Sequence, residues 1–274
     1  MSDAAIIQPK LGVRNATKSY STRSGDLLAI DDCSLDVKAG EIVSIVGPSG
    51  CGKTTLLWSM SGLHQLSSGE VLLDGKLVDG PNPEIGMVFQ DANLLPWRNL
   101  DQNINFPFEI MGAKPDRAWV DDLLGRVGLA GFGGRMPREL SGGMQQRAAL
   151  VRALSFKPSV LLMDEPFGAL DAFTREEMNQ MVEEIWMDSP TTIVLITHSL
   201  EEAIFLSDRI AVMSPRPGKV ASIHEVPFAR PRSLEIMATK EVFDLTNIIK
   251  KEIVGDQQSR YARSSDAPVA QAAR

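Results

Sequence analysis

The feature that constrains this chain most is a glycine-rich segment, residues 47–54, between an apolar run and a helix-forming stretch. Residues 41–46 predict a strand and residues 55–60 predict a helix. The glycines let backbone N–H groups approach phosphate oxygens, and the helix start adds partial positive charge. Lys53 can then reach phosphate oxygens, and the Thr54 hydroxyl can bind Mg²⁺. The predicted nucleotide-binding residues of this loop and of the helix start are Gly47, Pro48, Ser49, Gly50, Cys51, Gly52, Lys53, Thr54 and Thr55.

Length and composition limit the class of protein. The 274 residues, 43% of them hydrophobic, suffice for one domain with an elaborated subdomain. The net charge of −7 counts against nucleic acid as a partner. The longest apolar runs fall well short of the ~20 residues needed to span a bilayer, and the N-terminus does not resemble a signal peptide. We therefore expect a cytosolic protein that reaches a membrane only through a partner.

The order of predicted elements indicates an α/β fold. Residues 10–46 predict short strands joined by polar turns, one of them at residues 19–26. Residues 71–78 predict a hairpin about Asp74 and Gly75. Residues 91–158 have helical periodicity, whereas residues 159–163 and 192–196 are continuous apolar runs typical of buried parallel strands. We predict a phosphate-loop core with a parallel sheet, an N-terminal antiparallel β subdomain and an inserted helical subdomain.

The same pattern predicts the domain boundaries. The phosphate-loop core spans residues 10–226 and contains the helical subdomain at about 91–158. A C-terminal helical extension follows at residues 227–255, with its helix at about 232–253. Residues 256–274 are rich in Ser, Ala, Gln and Arg, a composition that predicts a disordered tail.

Two acids follow the apolar run 160–163. An apolar strand that ends in acids places carboxylates at the carboxyl edge of a parallel sheet, where open α/β folds bind ligands. Asp164 suits Mg²⁺, which prefers oxygen ligands. Glu165 can polarise an attacking water as a general base, which is typically worth ~10²–10⁴-fold in rate.

Three further features allow two interpretations each. Ser141, Gly142 and Gly143 form either a second anion-seeking helix start or an ordinary capped helix. Tyr20 either stacks on an adenine ring or is a half-buried aromatic of a sheet. Cys51 is either a thiol activated by the helix start or a small residue that fills the loop.

Taken together and in this order, the phosphate loop, Gln90, residues 140–147, residues 160–165, residues 169–171 and His198 resemble the ABC-type ATPases over residues 10–226. The resemblance implies ATP and Mg²⁺ as cofactors and a second copy of the chain in a head-to-tail ATP sandwich. Its implied catalytic residues are Glu165, His198, Gln90 and Lys53, and its implied metal ligands are Thr54, Gln90 and Asp164. Tyr20 would stack on adenine, and Asp171 would lie at the dimer interface. The nucleotide on the other copy would be faced by Ser141, Gly142, Gly143 and Gln145.

One residue departs from the family pattern. Ser199 follows His198 where many relatives have Asp, which puts in doubt any polar contact that the acid would make.

Within the family, residues 89–97, 197–206 and 213–218 are most similar to nitrate/sulfonate/taurine-type importer ATPases. This likeness implies integral membrane permease subunits, an extracytoplasmic solute-binding protein and a position at the cytoplasmic face of the cell (inner) membrane. Residues 94–97 would either contact the permease or pack within the helical subdomain. The alternatives are the ATPase of an exporter or lipid transporter, and a soluble ABC ATPase without a transport role.

Overall fold

The computed structural model describes residues 8–23 and 25–265, which form two sheets and seven α-helices. The first sheet is antiparallel, in the order β2-β1-β4-β5. The second has the order β10-β9-β3-β8-β7-β6, in which only β10 pairs antiparallel. The strands are β1 (Leu11–Thr22), β2 (Gly25–Val37), β3 (Ile42–Val46), β4 (Ser68–Leu73), β5 (Lys76–Leu77), β6 (Ile85–Val88), β7 (Val160–Asp164), β8 (Thr192–Ile196), β9 (Arg209–Met213) and β10 (Val220–Glu225).

The helices follow the predicted division of the chain. A helical segment lies between β6 and β7, so the predicted insertion in the parallel sheet is present. The helices are α1 (Lys53–Met60), α2 (Leu100–Met111), α3 (Arg117–Arg126), α4 (Gly142–Leu154), α5 (Ala172–Asp188), α6 (Leu200–Leu206) and α7 (Lys240–Ser265), with 3₁₀ turns at Pro137–Glu139 and Leu234–Ala238. Between residues 8 and 265, apart from residue 24, no helix has the length and apolar character needed to cross a bilayer.

The parallel sheet is covered on both faces, as its apolar strands predict. Successive side chains of β7 alternate between two hydrophobic clusters. Leu161 and Met163 pack with the helices, whereas Val160 and Leu162 pack toward α1 and the antiparallel sheet. All four side chains are essentially inaccessible to solvent. The sheet edge that holds the site is thus fixed by packing from both sides.

The antiparallel sheet differs in part from the prediction. The hairpin about Asp74 and Gly75 is confirmed, since Leu73 pairs with Lys76. Both turn residues have positive φ, 48° and 74°, as a two-residue turn of this kind requires. The polar turn predicted at residues 19–26 is present but shorter than predicted, because the β1–β2 ladder continues until Thr22 pairs with Gly25. Backbone pairing therefore extends through polar residues that the sequence pattern assigns to a turn.

The C-terminal extension is anchored to α6 by a buried arginine. The Arg232 guanidinium donates to the carbonyls of Ile204, Phe205 and Ser207 at 2.8–2.9 Å. Burial lowers its pKa to about 10, so it remains charged at neutral pH. The Arg232 backbone N–H donates to Glu183 of α5 at 2.9 Å. The extension thus satisfies the carbonyls at the end of α6, which would otherwise lack donors.

The final helix lies further along the chain than predicted. A helix at residues 232–253 is wrong in its first turns, because Leu234–Ala238 is a 3₁₀ turn and α7 begins at Lys240. The helix then continues to Ser265 and so includes the first ten residues of the predicted disordered tail. Residues 266–274 lie outside the described residues.

Candidate active site

The phosphate loop connects the end of β3 to the start of α1, as predicted. Gly52 precedes α1 with φ 105°, and a Cβ on it would lie 2.6 Å from a methyl group of Ile30. This position therefore requires glycine. The Lys53 ammonium donates to the carbonyls of Gly47 and Pro48 at 3.0 and 3.1 Å. The loop is closed around its own lysine, with that cation directed into it.

A cleft of about 290 Å³ opens above this loop. It combines loop residues with residues from β1, β2 and the end of β7, so the antiparallel sheet forms one wall. Tyr20 is on that wall, where an aromatic ring can stack on a base. The lining residues are Tyr20, Leu27, Ala29, Ser49, Gly50, Gly52, Lys53, Thr54, Thr55, Glu165 and Arg216.

Arg216 is a cleft residue that the sequence reasoning missed. Its Nε donates to the carbonyl of Gly50 at 2.9 Å, so a second cation lies beside the phosphate loop. A signal for this contact is Gly218, where a Cβ would lie 2.0 Å from the carbonyl oxygen of Cys51. The segment after β9 must therefore pass directly against the loop.

Asp164 and Thr54 form the candidate metal site. The Thr54 hydroxyl donates to Asp164 Oδ1 at 3.2 Å. Burial raises the pKa of Asp164, and the hydrogen bond from Thr54 opposes that shift. Both residues offer oxygen atoms, the ligands that Mg²⁺ prefers. The donor set therefore fits Mg²⁺ beside the phosphate loop.

Glu165 follows Asp164 in a backbone conformation that non-glycine residues rarely adopt, with φ 46°. Its N–H donates to the carbonyl of Ile196 at the end of β8, which holds that turn in place. Glu165 Oε2 lies 3.4 Å from Nδ1 of His198. Glu165 lines the cleft and is 25% exposed, whereas His198 is 59% exposed and lines a neighbouring pocket on the other side of Gly47. Backbone strain of this kind is typical of functional positions.

Ser199 takes the place of the aspartate that follows the histidine in the family pattern, and hydrogen bonds hold the segment around it. Ser199 is the N-cap of α6, since its hydroxyl accepts from the N–H of Glu202 at 3.2 Å and donates to Glu201 at 3.1 Å. The Thr197 hydroxyl accepts from the Ser199 N–H at 3.0 Å and donates to the buried Glu202. Serine therefore keeps the helix cap that an aspartate would provide.

Cys51 is buried in the loop, and burial raises the pKa of its thiol above the ordinary value. The neighbouring Lys53 opposes that shift without reversing it. Of the two interpretations, the structure therefore favours a small packing residue over an activated thiol.

Several predicted residues lie away from the cleft of a single chain. Among the described residues that line the cleft, none comes from 141–145, and Gln90 is also absent from the lining. Ser141 caps α4 by accepting from the Met144 N–H at 3.3 Å, and its side chain is exposed, as is that of Gln90. The exposed Gly142 and half-buried Gly143 form the start of α4.

Gln145 and Asp171 both have local structural contacts. The Gln145 amide donates to the carbonyls of Pro137 and Leu140, so within one chain this side chain holds the turn before α4. Asp171 caps α5 by accepting from the N–H of Thr174 at 3.0 Å, and this bond is the largest cause of its lowered pKa. The N-caps of α4 and α5, Ser141 and Asp171, are both exposed on the surface of the chain.

Comparisons with known proteins show which family the chain belongs to. A family model described as ABC transporter matches residues 30–168. The chain is 48% identical over 222 residues to the taurine import ATP-binding protein of Roseobacter denitrificans, covering 80% of this chain and 83% of the relative. Among solved structures, a dimeric bacterial ABC transporter cassette, MJ0796, superposes with TM-score 0.71 at 31% identity, over 80% of this chain and all of that one. A dimeric post-hydrolysis state of the same cassette bound to ADP and Pi matches equally well. The chain therefore belongs to the ABC transporter family.

Proposed function

We propose that this chain is the ATP-hydrolysing subunit of an importer for a small anion of the nitrate, sulfonate or taurine type. The hydrolytic part rests on one observation, the contact of Glu165 with His198 beside a phosphate-binding loop. The import part rests on the 48% identity to a relative named as a taurine import protein. The chain itself makes no contact with the cargo, so the class of solute follows from likeness alone.

The cleft residues have distinct roles in ATP hydrolysis. Tyr20 stacks on the adenine, and the loop N–H groups with Lys53 bind the phosphates. Thr54, Asp164 and the exposed Gln90 would hold Mg²⁺, which supplies positive charge against the phosphate oxygens. Glu165 accepts a proton from the attacking water, and His198 holds that carboxylate in place. Catalysis then depends mainly on positioning and charge stabilisation.

A second copy of the chain completes each site. The helix start at Ser141, Gly142 and Gly143 is accessible and lies apart from the cleft of its own chain. In a head-to-tail dimer it faces the γ-phosphate held by Lys53 of the other copy, with Asp171 at the interface. The dimeric relative supports this assembly. Binding of ATP closes the dimer, and hydrolysis with product release opens it.

The helical subdomain contacts the permease at the cytoplasmic face of the membrane. The apolar segment 94–97 divides between two roles, because Leu94 packs against the core whereas Trp97 is 71% exposed. Trp97 therefore offers apolar surface to the permease, close in sequence to Gln90. An extracytoplasmic solute-binding protein delivers the cargo to that permease.

The hydrolytic role is tested by Glu165→Gln, which keeps the shape of the side chain and removes the base. We expect ATP hydrolysis to fall at least ~100-fold while ATP still binds, so the variant accumulates as an ATP-bound dimer. The matched control is Glu176→Gln, on an exposed residue of α5. Turnover within a few fold of the parent chain would refute the assignment of Glu165 as the base.

The import role is tested by affinity capture from native membranes in mild detergent. A multi-span permease and an extracytoplasmic binding protein are expected in the captured complex. The binding protein can then be titrated with taurine, other sulfonates and nitrate. A permease without any binding protein would contradict import.

A further inference from the structure

The Tyr20 side chain is attached at its outer end to a histidine that belongs to a different part of the chain. Its hydroxyl lies 3.0 Å from Nδ1 of His64 and 3.5 Å from the hydroxyl of Thr55. His64 follows α1 in the loop that leads to β4. The Tyr20 ring on the cleft wall is therefore bound to His64, which lies just beyond the C-terminal end of α1.

His64 is itself held by α1. Its backbone N–H donates to the carbonyl of Trp58 at 3.1 Å. Its ring meets the Trp58 indole edge-on, with centroids 4.8 Å apart, and the Tyr20 ring at 6.0 Å. Contacts of this edge-to-face kind fix the plane of a ring. His64 thus fixes the position of Tyr20 relative to α1, the helix that begins at the phosphate loop.

The imidazole is suited to this structural contact. His64 is half-buried, and burial followed by the charge of Lys18 lowers its pKa. It is therefore neutral near pH 7, with one ring nitrogen as donor and the other as acceptor.

The Lys18 ammonium lies 5.1 Å from the centroid of the Tyr20 ring and donates to the carbonyl of Gln65. The Tyr20 ring is thereby held by His64 at its hydroxyl and by Lys18 at its face before any ligand binds.

We propose that His64 is a positioning residue that orients Tyr20 for the adenine base, and so sets the affinity for the base part of the nucleotide separately from the phosphate part. The proposal rests on the proposed function, in which Tyr20 stacks on adenine. A ring fixed in advance loses less side-chain freedom on binding, which for one such side chain amounts to roughly three- to tenfold in affinity.

The experiment compares two ligands that differ in the base. Dissociation constants are measured on the full chain for ATP, by titration, and for inorganic tripolyphosphate, by competition. With His64→Ala we expect ATP to bind roughly three- to tenfold more weakly and tripolyphosphate to bind as before. The KM for ATP should rise by the same factor while kcat at saturating ATP is retained.

Rescue and coupling variants sharpen the test. His64→Asn keeps a short polar group near the position of Nδ1 and should recover most of the ATP affinity. In a Tyr20→Phe background, His64→Ala should have little further effect, because the hydroxyl that it contacts is already gone. Gln65→Ala, on the exposed neighbouring residue, is the matched control and should leave both ligands unaffected.

The outcomes separate the inference from the function on which it rests. If Tyr20→Ala weakens ATP relative to tripolyphosphate but His64→Ala does not, the inference is wrong and the stacking role stands. If Tyr20→Ala leaves that ratio unchanged, the stacking role itself fails. An equal loss of both ligands with His64→Ala would mean that the residue supports the phosphate loop, which also overturns the proposal.

Discussion

Replacing Glu202 with glutamine is expected to stabilise the folded chain above neutral pH. Glu202 is only 4% exposed, and burial raises its pKa from 4.5 to about 7 against the opposing hydrogen bond from Thr197. Its folded pKa therefore lies above its unfolded pKa. The contribution of this carboxyl to stability is fully present below pH 4.5 and is lost as the pH rises through about 7.

The size of this stability change follows from the interval between the unfolded pKa and the folded pKa of Glu202. At about 1.4 kcal/mol for each pKa unit, the folded chain loses about 3 kcal/mol between the two pKa values. Glutamine stays neutral throughout and still offers an oxygen atom to the Thr197 hydroxyl. The variant should therefore match the parent chain near pH 4.5 and exceed its free energy of unfolding by up to about 3 kcal/mol at pH 8.

Denaturant unfolding, followed by the fluorescence of the four tryptophans, measures this difference. Titrations at pH 5, 6, 7 and 8 give the free energy of unfolding of each chain. Glu201→Gln, on the exposed neighbouring acid, is the control for replacing a carboxylate by an amide at the surface of α6. A Glu202→Gln chain that is less stable than the parent at pH 8, or a difference that does not grow with pH, would refute the reasoning.

Three further predictions follow from contacts described above. Gly218→Ala should weaken ATP binding at least ~10-fold, because a Cβ there meets the phosphate loop 2.0 Å away, and a normal affinity in a titration would contradict this. The Cys51 thiol should react slowly with iodoacetamide at pH 8 in the folded chain and quickly after unfolding, as followed by mass spectrometry; rapid modification of the folded chain would show it to be accessible. Arg232→Met should lower the melting temperature markedly, because three buried carbonyls lose their donor at ~1–3 kcal/mol each; an unchanged melting temperature would argue against this anchor.

The parts of the site that the sequence predicted are those built from short segments. The phosphate loop, residues 47–54, is defined by a strand, a loop and a helix start that are contiguous in the chain. Asp164 and Glu165 lie at the end of a buried strand, and parallel strands end at a common edge, so the approach of Asp164 to Thr54 could be expected. The same edge brings His198, two residues beyond β8, to Glu165.

The parts that escaped prediction depend on contacts between distant segments. Whether Leu27 and Ala29 reach the cleft depends on how the antiparallel sheet packs against α1, which no local pattern encodes. Arg216 reaches the loop because the segment after β9 crosses it closely. The length of β1 is set by its pairing with β2. The polar residues at its end favour a turn, but the backbone hydrogen bonds to β2 outweigh that local preference.

The anchor at Arg232 bears on how much of the chain is needed for a working site. Every residue that lines the cleft lies before position 226, yet Arg232 supplies the donors for the far end of α6. That helix is only seven residues long, and its first turn holds the segment that contains His198. A chain truncated after residue 226 would keep all the motifs but lose Arg232, whose hydrogen bonds stabilise the helix next to His198. The minimal functional unit is therefore longer than the segment that the motifs delimit, and its boundary is set by a side chain that is not among those lining the cleft.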